Sequence, residues 1–208
     1  MSLLKPTFHQ DDIHVVEKKS VYHGFFNVLR LRLKHRLFAG GWTTEITREL
    51  LDRGDACAAV LYDPIDDTIG LIEQFRVGAI GSQHGPWCLE VVAGMVEAGE
   101  TPEQVIHREI EEESGLVAEK LLPITHYFSS PGGSSESVHV FCALCDLKDA
   151  GGIHGLVQEN EDILLRVFPA NDVFSVMFDS RMNNAATLIA LQWLSVNKKN
   201  IQDMAKVN

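Results

Sequence analysis

The stretch Gly94–Leu116, GMVEAGETPEQVIHREIEEESGL, constrains this chain more than any other. Thr101 can cap a helix, Pro102 fits the first turn, where its missing N–H would be unbonded anyway, and Gln104 completes a Thr-x-x-Gln capping box. Gly115 stands where a left-handed C-terminal residue is wanted, and glycine reaches positive φ without steric cost. The spacing predicts a helix running from Thr101 to Gly115. Within it Glu109, Glu112 and Glu113 fall at i, i+3 and i+4 and share one face, while Glu111 points elsewhere. Like charges so placed cost a helix about 0.2–0.5 kcal/mol per pair, so the face calls for a compensating cation. Mg2+ suits it, because this hard ion takes one or two carboxylates and fills its shell with water and phosphate oxygens. The segment therefore points to phosphate chemistry.

Gly94, Glu100, Arg108, Glu109, Glu112, Glu113 and Gly115, with the aliphatic Ile110 and Leu116, fit the pattern G-x5-E-x7-R-E-U-x-E-E-x-G-U, where U is aliphatic. At ordinary residue frequencies a chance match is rarer than about one in a million, so a merely solvated acidic helix does not account for it. The pattern resembles the signature of the Nudix hydrolases without a departure. That resemblance implies cleavage of a nucleoside diphosphate linked to a second moiety. It makes Glu109 and Glu113 the main metal ligands and catalytic carboxylates, with Glu112 supporting them and the Ala93 carbonyl adding a ligand. It implies Mg2+ or Mn2+ as the ion, more than one per site. Arg108 reads as structural, able to pair with Glu112 at i+4, and Gly94 and Gly115 as structural glycines.

A formal charge of 18 minus 29, or −11, argues against a nucleic-acid partner, whose affinity rests on Lys and Arg neutralising phosphates. No apolar run approaches the roughly 20 residues that span a bilayer, and MSLLKPTFHQ lacks the basic-then-apolar pattern of a signal peptide, so no membrane partner and a cytoplasmic location are expected. Cys142 and Cys145 form a C-x-x-C, but VHVFCALCDL reads as a strand, in which residues three apart face opposite ways. Core thiols are expected there, not a zinc site. The nine histidines show no metal-binding spacing on a helix.

Alternating apolar residues from about Val15 to Leu50 predict antiparallel strands with a turn near Ala39–Gly41. Further strands are expected over Ala56–Tyr62, Thr68–Phe75, Trp87–Val92, Leu122–Phe128, Val138–Leu147 and Ile163–Phe168, and a helix over about Asn183–Val196. The class is α/β. The resemblance makes it a Nudix α/β/α sandwich with a mixed sheet over residues 55–208, preceded by a small antiparallel β-sheet in residues 1–54. Such a sheet has too little core to stand alone. The resemblance implies a homodimer with exchanged N-terminal elements.

The helix gives a reaction class and leaves the substrate open. Ser129–Glu136, SSPGGSSE, makes a tight loop with free backbone N–H groups. Pro131 lies sixteen residues beyond Gly115, where the ADP-ribose diphosphatase subfamily carries a proline, and the HGF, TREL, EQFR and VAGM stretches are similar to that subfamily as well. The implied substrate is ADP-ribose, split to AMP and ribose 5-phosphate. Phe25 is implied to stack on adenine from the partner subunit, with Arg48 near the same end. Arg76 is implied to hold the diphosphate, and Ser130 and Glu136 the terminal ribose. Glu159, in GLVQENED, is implied as the base after loop closure, with Glu161 as the fallback. An ordinary glutamate, near pKa 4.3, is a poor base for free water, so metal activation is needed as well. Two other readings are another nucleotide sugar or dinucleoside polyphosphate as substrate, and a module that binds ADP-ribose without cleaving it.

Overall fold

The computed structural model describes residues 4–206. Contacts divide the chain into two units, one comprising the chain to Gly54 with Ser130–Glu136, the other Asp55–Ser129 with the chain from Ser137 onward.

The first unit is a three-stranded antiparallel sheet in the order β1 (Ile13–His23), β2 (Asn27–His35), β3 (Ile46–Asp52). β1 is exposed along its whole length, and Leu29 on β2 is the one sheet residue buried from solvent. Ile13, Val15, Val21 and Tyr22 on β1 all lie open, as do Phe25 and Phe26 in the following turn. Ser130–Glu136 joins this sheet through backbone bonds on both sides of Leu51: its N–H donates to Gly133 at 2.8 Å and its carbonyl accepts from Ser135 at 3.0 Å.

The second unit is built on an eight-stranded mixed sheet. Its main path runs β10 (Gly152–His154), β11 (Ile163–Pro169), β5 (Thr68–Phe75), β4 (Asp55–Asp63), β9 (Ser137–Leu144), β8 (Lys120–Phe128). β6 (Trp87–Glu90) pairs with β5, and β7 (Val92–Met95) with β4. β4 and β9 are parallel, and every other pairing is antiparallel. The alternation of β4 explains the layers. Cys57, Ala59 and Leu61 face helix α1 (Pro102–Ser114), which contributes Val105, Ile106 and Ile110. Ala58, Val60 and Tyr62 face the other way, onto α2 (Ala170–Val176) and α3 (Ala185–Ala205), which contribute Val173, Ala190, Leu191, Leu194 and Ile201. The result is the α/β/α arrangement expected above.

Cys142 packs in the α3-side cluster and Cys145 in the α1-side cluster, so the C-x-x-C is split across the sheet. Burial pushes the thiols of Cys57, Cys142 and Cys145 up to about 12, far from a reactive thiolate. Several elements differ from the sequence expectation: the strand expected over Trp87–Val92 breaks after Glu90 into β6 and β7, the one expected to reach Leu147 stops at Leu144, and β10 stands where none was expected. α3 runs on to Ala205 instead of ending near Val196, because Ile201 is buried beneath the polar NKKN turn and no glycine or proline interrupts the helix. α2 follows Pro169 directly and is too short to give a readable period. Among the described residues no helix is long and apolar enough to cross a membrane.

Candidate active site

α1 is capped at both ends by the residues its sequence provides. Thr101 Oγ1 accepts from the Gln104 N–H at 3.3 Å and Gln104 Oε1 accepts from the Thr101 N–H at 2.9 Å. At the far end Gly115 is left-handed, with φ 68°, and its N–H donates to Glu111. The helix buries Val105, Ile106 and Ile110, and this rotation turns Glu113 inward with them.

Glu113 is only 3 % exposed. Its Oε2 accepts from the Ala93 N–H at 3.0 Å, tying α1 to β7. Burial pushes its carboxyl up to about 8; the Ala93 bond and Arg76 pull it down, while Glu109 and Glu161 push it further up. Glu109 lies one turn back, directly over Gly94, where any Cβ would overlap its carboxylate and Cγ. Burial pushes Glu109 up to about 7; Arg108 opposes that shift, and Glu112 and Glu161 add to it. Two carboxyls that are only partly ionised near neutral pH, Glu113 buried beside Ala93 and Glu109 half-buried over Gly94, form a hard-oxygen donor set whose repulsion a divalent cation would relieve. The residues present fit such an ion.

Arg108 holds the outer part of this face. Its Nη1 lies 2.9 Å from Glu109 and 3.1 Å from Glu112, and its Nη2 lies 3.8 Å from Glu100. Among the described residues no three acidic, His or Cys side chains converge on one point. Arg108 draws Glu109 and Glu112 outward while the Ala93 N–H holds Glu113 inward.

Gly155–Asp162 approaches the same helix: the Gly155 N–H donates to the Glu112 carbonyl at 3.1 Å. Glu161 accepts from the Leu156 N–H at 3.1 Å, and its charge acts on both Glu109 and Glu113. Glu159 is exposed, in a short 3-10 turn that Asn160 ends in the left-handed region. Arg76, at the end of β5, bonds through Nε to Glu90 at 2.7 Å.

The remaining residues lie in the first unit. Phe25 is 86 % exposed and meets Phe26 edge to face, with the Arg53 guanidinium 5.4 Å and 5.1 Å from the two ring centres. Arg53 also pairs with Glu136 at 3.5 Å. Phe25 and Glu136 are thus linked through an arginine that the sequence reading did not single out. Ser135, in the same loop, bonds Asp52 at 3.2 Å. Arg48 stands apart on β3, its Nη1 donating to the Thr47 carbonyl. Ser130 closes the turn containing Pro131 by accepting from the Gly133 and Ser134 N–H groups.

A NUDIX domain model matches residues 52–192. The chain is 43% identical over 202 residues to an ADP-ribose pyrophosphatase of Haemophilus influenzae, covering 96% of this chain and 93% of the relative. It is 38% identical over 206 residues to an ADP-ribose pyrophosphatase of Escherichia coli K12, covering 97% and 99%. A solved structure described as an ADP compounds hydrolase superposes with a TM-score of 0.71 at 20% identity, covering 91% of this chain and 96% of that one. With the acidic helix face seated on β7 and a family model spanning most of the sheet, this chain belongs to the NUDIX family.

Proposed function

We propose that this chain hydrolyses the diphosphate of ADP-ribose to AMP and ribose 5-phosphate with Mg2+ as its cation. The observation that carries the chemistry is the buried Glu113 held by the Ala93 N–H with the half-buried Glu109 seated over Gly94, and the near-full-length ADP-ribose pyrophosphatase relatives support the substrate. A GDP-mannose pyrophosphatase of Klebsiella pneumoniae, 30% identical over 193 residues and covering 89% of this chain and 93% of the relative, supports the second reading, a different nucleotide sugar. A substrate panel separates the two. ADP-ribose cleaved at least about tenfold more efficiently than GDP-mannose supports the first, since tenfold corresponds to about 1.4 kcal/mol of transition-state discrimination; equal rates overturn it.

Glu109 and Glu113, with Glu112 and the Ala93 carbonyl, would hold the ion. When bound it supplies Lewis acidity, easing deprotonation of water and neutralising phosphate oxygens. Arg76 offers its guanidinium fork to the diphosphate. Water attacks the adenosyl-side phosphorus, its proton passes to a carboxylate, and the bond to the bridging oxygen breaks, leaving that oxygen on ribose 5-phosphate. In 18O water the label is expected in AMP; label in ribose 5-phosphate overturns this direction of attack.

The base comes from the Gly155–Asp162 loop. Glu159 is the residue the family resemblance names, and Glu161 is the one whose charge acts on Glu109 and Glu113. Conversion of the true base to glutamine is expected to lower kcat by roughly 100-fold or more, as general-base loss does, with the other substitution much milder. Measuring kcat for Glu159→Gln and Glu161→Gln decides between them, and two mild variants exclude both glutamates as the base.

Residues 1–54 form a dimerisation region and residues 55–208 the catalytic domain in this reading, and the enzyme works in the cytoplasm. The open apolar residues of β1 support a homodimer with exchanged N-terminal elements, in which Phe25 meets the partner's substrate. Arg48 is assigned to the adenine end of the ligand, and Ser130 and Glu136 to the terminal ribose. A monomeric mass by light scattering overturns the dimer.

A further inference from the structure

Glu90 ends β6 on the same sheet as Arg76 and is 3 % exposed, which is unusual for a carboxylate. Its two oxygens are divided between two partners: Oε2 accepts from Arg76 Nε and Oε1 accepts from Asn184 Nδ2, both at 2.7 Å. Asn184 is itself fixed as the N-cap of α3, its Oδ1 accepting from the Thr187 N–H at 3.1 Å. Thr187 Oγ1 in turn accepts at 3.1 Å from the N–H of Val91, the residue after Glu90. Helix cap, β6–β7 junction and carboxylate are thereby locked together.

Burying a carboxylate against an arginine whose side chain is 43% exposed offsets the desolvation cost only partly, so the pair is a weak source of stability. Its geometry is more informative. A guanidinium has five N–H donors, and Glu90 engages the one on Nε. Among the described residues the Arg76 side chain makes no other hydrogen bond or ion pair. The Nη pair is the fork that matches two oxygens of a phosphate. The charge of Arg76 also acts on Glu113, lowering the pKa that burial raises.

We propose that Glu90 is a positioning residue for catalysis: anchored by Asn184, it grips Arg76 by Nε and leaves the Nη fork for the substrate diphosphate. The inference rests on the reading of Arg76 as a diphosphate contact.

The test is a double-mutant cycle in steady-state hydrolysis of ADP-ribose. Glu90→Gln keeps the shape, but it can offer an oxygen to Arg76 or to Asn184 and not to both. KM is expected to rise about tenfold with a smaller change in kcat, the scale of one hydrogen bond to a charged group. In an Arg76→Ala background, itself raised in KM, the same change is expected to alter KM less than about twofold, because coupled residues lose additivity. Asn184→Ser retains a good cap hydroxyl but not the reach to Glu90, so it gives a smaller KM rise that also vanishes in the Arg76→Ala background. This variant carries the test if Glu90→Gln does not fold. An unchanged KM in Glu90→Gln, or an equal rise with and without Arg76, overturns the proposal. If Arg76→Ala raises KM while Glu90→Gln is silent, only the positioning role fails. If Arg76→Ala leaves KM unchanged, the diphosphate reading of Arg76 fails, and the positioning role fails with it.

Discussion

The Glu113→Gln enzyme is expected to lose roughly 100-fold or more of its turnover, the scale of losing a metal-binding carboxylate, while its metal-free fold becomes more stable than the parent at alkaline pH. Both effects have one cause. Burial pushes Glu113 up to about 8, above the unfolded value of roughly 4.3, so the folded chain holds a proton that the unfolded chain releases. That contribution to stability is present in full below the unfolded value and is lost as pH rises to about 8. Glu109, pushed up to about 7, adds to the same slope. A glutamine at 113 can still accept from the Ala93 N–H and never ionises, so this part of the pH dependence disappears. Mg2+ acts on the parent in the opposite direction: it stabilises the folded state by mass action, most where the carboxylates are ionised. The expected result, read by thermal unfolding with and without chelator, is a metal-free Tm that falls with rising pH more steeply in the parent than in the variant. The increment from Mg2+ is expected to shrink in the variant. Turnover near the parental level, or a variant whose Tm falls as steeply as the parent's, removes Glu113 from this role.

What could be read from the sequence was local. Thr101, Gln104 and Gly115 define the ends of α1 because each acts within three or four residues, and Val105, Ile106 and Ile110 set which side faces the sheet. The two faces of β4 and the split of Cys142 from Cys145 follow from a period of two. The inward turn of Glu113 follows from that same rotation, but its depth does not, since that depends on β7 offering the Ala93 N–H. Arg108 was readable as a partner of Glu112 one turn on. Its bond to the adjacent Glu109 was not, because neighbours along a helix do not normally face each other. Contacts between distant parts of the chain left no local trace. Glu90 and Asn184 are 94 residues apart, and the Ser135 N–H meets the Leu51 carbonyl only because the middle of the chain returns to the N-terminal sheet. Glutamate and asparagine at such places look like ordinary surface residues until the fold brings them together.

Gly94→Ala is expected to abolish most activity without unfolding the protein, which separates the shape of the site from the stability of the sheet. Gly94 pairs with Cys57 across β7 and β4, and its conformation is one that alanine can adopt, so the backbone presents no obstacle. The obstacle is Glu109. A Cβ at 94 would overlap its carboxylate and Cγ together, so a small shift of the side-chain tip does not suffice and Glu109 must take another rotamer. Glu109 is a long side chain beside Arg108, at 2.9 Å from its Nη1, and can swing toward it at modest cost. Moving a carboxylate with a raised pKa toward solvent also relieves desolvation, so Tm is expected to stay within a few degrees of the parent, a ΔΔG of about 1 kcal/mol or less. Turnover is expected to fall roughly 100-fold, because a ligand displaced by about an ångström no longer serves the reaction. The decisive measurement is the cycle with Glu109→Ala. Once Gly94→Ala has displaced the carboxylate, its removal should cost little more, whereas in the parent it should cost about as much as Gly94→Ala does. Independent, additive losses would mean that Gly94 serves the site through something other than the seat of Glu109. A fully active Gly94→Ala enzyme would mean that Glu109 does its work from a different place.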